Sequence, residues 1–245
     1  MEEENVFEHF QEFIRRNGGS FNIINEQIDV DLQIEYFKRA AEIRKDLIKD
    51  QVMQNKDRLF EPIELTEKKD ILAGLATFDD VECFRTIEKF VNAQPDESIK
   101  QWSLLAYNEC KMKLESSLLE ENQIFISTGL GGKDQKMRFF VVLFSVLSNA
   151  SLNDFQQKLI REECQDKCEK YNADVEEVQF VDRYATILAL VPFSHPVDGL
   201  FSEIINECNQ YGNFMSKNFI ITNVKKLTPA EIVDFTDKHK SEFDT

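Results

Sequence analysis

Three groups of residues in this chain have types and spacings that chemistry uses. Gly129-Leu130-Gly131-Gly132-Lys133 sets glycine amides beside a lysine, a composition that cradles phosphate when the loop runs into a helix N-terminus. The spacing is not that of a GxxxxGK[ST] loop, and the apolar residues that follow predict a strand. A hairpin turn with positive φ at its glycines is therefore the plainer reading. Lys133, Lys136 and Arg138 still gather a small basic spot on an acidic chain. Gly131, Gly132, Lys133, Lys136 and Arg138 are thus the candidate site for an anion or an acidic partner.

Cys164 and Cys168 lie four apart on a predicted helix, a spacing at which two thiolates can begin a metal site. No histidine accompanies them in sequence, and they share a face with Ile160 and Tyr171. They read as small buried fillers, and no metal is expected. His195, in Pro192-Phe193-Ser194-His195-Pro196, sits where a predicted strand turns into a helix, a position that active-site residues occupy; an exposed loop histidine is the plainer alternative. His9 and His239 lie near predicted helix ends. No HExxH, nucleophile elbow or GxGxxG occurs, and the carboxylates are too numerous to pair by eye. The reading leans away from an enzyme and expects no cofactor.

The elements that would position these residues change character at Gln123. Before it, apolar residues return once per helical turn. Residues 2–17 carry Val6, Phe10 and Phe13 on one face and stop at Gly18-Gly19. Residues 20–31 read as a polar connector whose Phe21, Ile23 and Ile24 tuck against the core as a loop. Leu32, Tyr36, Ala40, Ile43 and Leu47 mark a long helix that fades near Gln54. Thr66, Asp79-Asp80 and Pro95-Asp96 then open three further helices with short joints. Ile71-Leu72-Ala73-Gly74-Leu75-Ala76, Asp79 to Arg85 and Trp102-Ser103-Leu104-Leu105-Ala106 resemble HEAT-type helical repeats, with a plain helical bundle as the alternative.

After Gln123 extended segments intervene. Residues 124–128 and 137–147 read as two strands around the glycine-rich hairpin. Ser151 with Asp154 opens a helix to about Tyr171. Residues 175–181 and 185–191 are strands joined at Asp182-Arg183, 197–211 is a helix, and 219–224 is a strand. This βαββαβ order resembles the ferredoxin-like fold, which implies an antiparallel sheet with both helices on one face. Thr228-Pro229-Ala230-Glu231 caps a short closing helix with Ile232 and Phe235. The expected class is α+β: a helical bundle or HEAT-like region over residues 1–122 and a ferredoxin-like domain over 123–245.

At 245 residues, 42% hydrophobic with 21 Phe, the chain can fill real cores. Its five cysteines are odd in number and scattered, which points to a reducing cytoplasm. MEEENVFEHF lacks the basic and apolar regions of a secretory signal, and no apolar run is long enough for a membrane span. The net charge of −16 opposes binding to phosphate backbones and anionic lipid. The strands 137–147 and 185–191 are apolar on both faces, so the sheet face free of helices must be covered by the helical half, the closing helix or a homodimer mate. The functional expectation is a cytoplasmic interaction or scaffold protein that binds a protein partner or a second copy of itself, with no nucleic acid and no membrane. The alternative is a small-ligand sensor or an enzyme with an interdomain pocket.

Overall fold

The computed structural model describes residues 21–120, 124–146 and 151–239. The helix expected over residues 2–17, with His9, lies outside them. Contacts divide the chain into two compact units, one of Met1–Ile24 with Ile28–Ser127 and one of Asn25–Gln27 with Thr128–Thr245.

In the first unit α1 (Val30–Ile43) starts at Asp29, whose carboxylate accepts from the Leu32 amide, and turns Tyr36 and Ala40 into the core. It does not run on to Gln54. A 3-10 turn at Arg44–Asp46 and an extended Leu47 end it, and α2 (Lys49–Asn55) begins afresh. Next come α3 (Leu65–Leu75), α4 (Val81–Asn92) and α5 (Glu97–Leu119). Asp80 caps α4 by accepting from the Glu82 and Cys83 amides, whereas Thr66 lies inside α3, which Glu64 opens without a side-chain cap. The core gathers Tyr36, Leu72, Leu75, Ile87, Phe90 and Trp102. Trp102 donates to the Lys69 carbonyl at 3.0 Å and packs edge-on to Tyr36.

This unit also holds a feature that periodicity conceals. β1 (Phe21–Ile23) pairs in parallel with β2 (Ile124–Ile126). Residues 21–23, expected as loop, are thus a strand, and residues 124–126 partner it rather than forming a hairpin with 137–147.

The second unit is α+β and ferredoxin-like. β3 (Gly132–Lys133) turns back through Asp134 and Gln135, both at positive φ, into β4 (Lys136–Ser145). Then follow α6 (Asp154–Lys170), β5 (Asp174–Val181), β6 (Tyr184–Pro192), α7 (Val197–Asn209), β7 (Met215–Thr222) and α8 (Pro229–Lys238). β4 lies between β6 and β7, β5 flanks β6, and every pairing in this sheet is antiparallel. The capping box that opens α6 is Asn153 with Gln156, two residues beyond the expected Ser151 with Asp154. α6 and α7 bury Ile160, Cys164, Phe201, Ile204 and Cys208 against Val141, Leu143, Ala185 and Ile187 on one sheet face. On the opposite, open face, Phe140, Val142, Phe144, Tyr184, Leu188 and Ile220 form a second core with Leu130 and with Ile232 of α8. The closing helix thus supplies part of the cover that an apolar open face requires. Among the described residues no helix is long and apolar enough to cross a membrane.

Candidate functional site: a cleft between the open sheet face and the closing helix

The sequence candidates are placed as follows. Gly131 is buried at φ 68°, and its amide closes a turn on the Thr128 carbonyl at 3.2 Å. Lys136 pairs with Asp174 at 2.7 Å. Arg138 grips Glu176 through Nε at 2.5 Å and Nη2 at 2.9 Å, and also donates to the Leu130 carbonyl. The Glu176 hydrogen bond raises the Arg138 pKa further. The basic spot is therefore largely neutralised by β5, and Lys133 is left exposed beside buried Gly132. What the glycines do is structural. A Cβ on Gly129 would stand 1.8 Å from the Val224 carbonyl oxygen, so only glycine lets the loop lie on the end of β7, where the Leu130 amide donates to Asn223 at 2.9 Å.

Cys164, Cys168 and Cys208 are buried. Burial pushes the Cys168 and Cys208 thiols up to about 12 and raises Cys164 well above the ordinary thiol range, so all three stay protonated and unreactive. No group of metal-ligating side chains occurs among the described residues. His195 bonds Ser194 through Nδ1 at 2.9 Å and meets the Tyr171 ring edge-on. Tyr171 in turn donates to Glu203. None of these sequence candidates borders the cleft described next.

That cleft, of about 140 Å³, lies in the second unit between the open sheet face and α8. Its floor is Phe140 of β4 with Tyr184 and Thr186 of β6; Glu177, Gln179 and Val181 of β5 form one wall; Lys226, Leu227, Pro229 and Ile232 form the other. Register explains this set. Gln179 stands opposite Thr186 and Val181 opposite Tyr184, all on the open face, while Val178 and Phe180 face Ile187 and Ala185 on the helix side.

A β-bulge sets that phase. Pairing runs Val175 to Ala189 and then Glu177 to Leu188, so Glu176 is the extra residue. Unbulged, Glu177 would oppose Ile187 and carry its carboxylate into the apolar core between sheet and helices. The bulge instead turns Glu177 and Gln179 to the cleft and frees Glu176 for Arg138.

The polar groups of the cleft are Glu177, Gln179, Lys226, Tyr184 and Thr186. The Glu177 carboxylate takes Lys226 at 2.6 Å and the Gln179 side-chain amide. Both bonds, Lys226 first, hold its pKa below the usual carboxylate range, so it remains an acceptor. Tyr184 is 8% exposed, and burial, with Asp182 nearby, raises its pKa and keeps its hydroxyl a donor. Neither the Tyr184 nor the Thr186 hydroxyl has a hydrogen-bond partner among the described residues. Sequence reading missed this site because Glu177 and Gln179 are ordinary strand polars. The available signal was the slip in apolar phase between Val175 and Val178.

No family model and no curated protein matches the chain. Among solved structures, one similar to it is a candidate transposase from Deinococcus radiodurans R1, at TM-score 0.36 and 10% identity over 42% of this chain and 90% of that one. Another is a REP-associated tyrosine transposase bound to a REP hairpin, at TM-score 0.33 and 9% identity over 44% of this chain and 70% of that one. These neighbours run against the expectation of a protein-binding or self-associating scaffold with no nucleic-acid partner. The physical fault lay in reading a whole-chain charge as though it described every face: net charge sets the average field, whereas function resides in a local site. A likeness at this level assigns no activity to the chain.

Proposed function

We propose that the C-terminal unit binds one planar, nucleobase-type heterocycle in the cleft between the open sheet face and α8. The observation that supports this reading is a ring-sized space with an aromatic floor and a hydrogen-bonding edge. An apolar cavity of about 150 Å³ accepts benzene, whereas drug-sized and cofactor sites begin near ~300 Å³. A cleft of about 140 Å³ therefore suits a single ring system and not a dinucleotide. Phe140 and Tyr184 offer apolar and aromatic surface, while Glu177, Gln179, Thr186 and Tyr184 together offer acceptors and donors within one rim. That pairing of a flat surface with a mixed polar edge is how proteins hold an unstacked base. Phosphate is disfavoured, because Glu177 borders the cleft and its one lysine, Lys226, is engaged by that carboxylate.

The test is a titration followed by NMR chemical shifts and melting temperature. Adenosine, cytidine, guanosine and thymidine are compared with inorganic phosphate and with short single-stranded oligonucleotides. At least one nucleoside shifts Gln179 and Thr186 resonances, and phosphate alone does not. Tighter binding of the oligonucleotide would place the base within a strand; equal binding would mark a free nucleoside as the ligand. Gln179→Ala and Tyr184→Phe each weaken binding about fivefold to tenfold, the worth of one hydrogen bond. No response to any nucleoside at millimolar concentration, or a response that neither substitution diminishes, refutes the reading.

A further inference from the structure

We infer that α8 is a gate over this cleft, swinging away from the sheet about residues 225–227 and exposing the ligand site as it leaves. As regulation of the same site, the gate rests on the reading above. The chain is clamped up to Val224. Leu130 donates to Asn223, Gly129 lies too close to Val224 for any side chain, and the Val224 amide bonds the Thr222 hydroxyl at 3.1 Å. Beyond Lys225 the helix is internally complete. Thr228 and Glu231 satisfy each other's amides, and Pro229 opens the first turn, so α8 can detach without unravelling.

The ties between α8 and the sheet are few. Ile232 is the one residue of the helix that is buried, while Val233 is 54% and Phe235 38% exposed. α7, by contrast, buries Leu200, Phe201, Ile204, Ile205 and Cys208. The other ties of this segment are Leu227, partly buried against the open-face core, and the Lys226–Glu177 ion pair, with both ends open to water at 47% and 39%, a geometry worth little. Ile232 and Lys226 are at once the wall of the cleft and its fastening. A guest that bonds Glu177 competes for Lys226, and a guest that fills the space beside Ile232 adds contact. Occupancy and closure are thereby coupled.

Amide hydrogen exchange on the full chain without ligand decides the matter. α8 exchanges by local opening about a hundredfold or more faster than α7, with β4 the most protected of the three. Ile232→Ala speeds α8 about tenfold further and leaves α7 and β4 unchanged, and Lys226→Met acts in the same direction. Added adenosine slows α8. Protection of α8 equal to that of α7 overturns the gate, as does an Ile232→Ala effect that spreads equally through α7 and β4. Because the ligand-free exchange stands by itself, absence of adenosine binding would remove the proposed ligand and leave the gate to be judged on its own result.

Discussion

Glu109 is 7% exposed and accepts from the Tyr36 hydroxyl at 2.7 Å, from Lys113 at 2.7 Å and from the Arg44 guanidinium. Lys113 spends its other hydrogens on the Ala76 and Thr77 carbonyls at the end of α3, each at 3.1 Å. One carboxylate thus fastens α1, α5 and, through Lys113, α3. Burial, and then the neighbouring Arg44, push the Lys113 ammonium down to about 8, so without its carboxylate this cation would be poorly held. Breaking a buried ion pair by removing one partner costs about 3–5 kcal/mol, whereas a single neutral hydrogen bond is worth about 1 kcal/mol. Glu109→Ala should therefore destabilise the protein several times more than Tyr36→Phe in urea unfolding. Equal effects would show that the charges are compensated by water rather than by Glu109.

Among the elements, the loop before β3 carries the sharpest steric demand. Gly129→Ala forces a methyl group onto the Val224 carbonyl, and the only relief is to lift the loop from β7 and break the Leu130–Asn223 bond. A loss of about 2 kcal/mol or more is expected, with the amides of 129–131 and 223–224 the first to lose exchange protection. An unchanged urea midpoint would contradict the close approach. The role of this glycine illustrates what was legible in the sequence. Its presence signalled a turn, yet its reason is a neighbour almost a hundred residues away in the chain. Elements written in local chemistry were readable: the Asp80 cap, the Thr228 capping box, the Asp182-Arg183 hairpin and the βαββαβ order. Elements defined by a distant partner were not, as with β1, whose apolar-polar-apolar alternation spans only three residues, too short a run to announce a strand. The cleft failed for a related reason. Glu177 and Gln179 take their direction from a one-residue bulge, and a bulge becomes visible only when both strands are known.

For the molecule as a whole, a net charge of −16 acts against compactness. At 10 mM salt the Debye length of about 30 Å lets unpaired carboxylates across a unit repel one another, whereas at 0.1 M it falls to about 10 Å. Contacts such as Arg39–Asp70 at 2.7 Å are far shorter than either length and lose little. Net repulsion is thus screened more than pairing, and the melting temperature should rise by a few degrees between 10 mM and 150 mM sodium chloride. A fall over that range would mean that the ion pairs outweigh the excess charge.

The parallel pair β1–β2 has a bearing on assembly. Phe21 and Ile124 stand about a hundred residues apart along the chain, and the length-dependent part of closing such a loop costs about 4 kcal/mol. Three residues on each strand yield a handful of backbone bonds at about 1 kcal/mol apiece, too little to draw the ends together unaided. The helices must bring them together, and the strands knit afterwards. This short ribbon is then a seam stitched last, and its amides report whether everything between its two threads has already found its place.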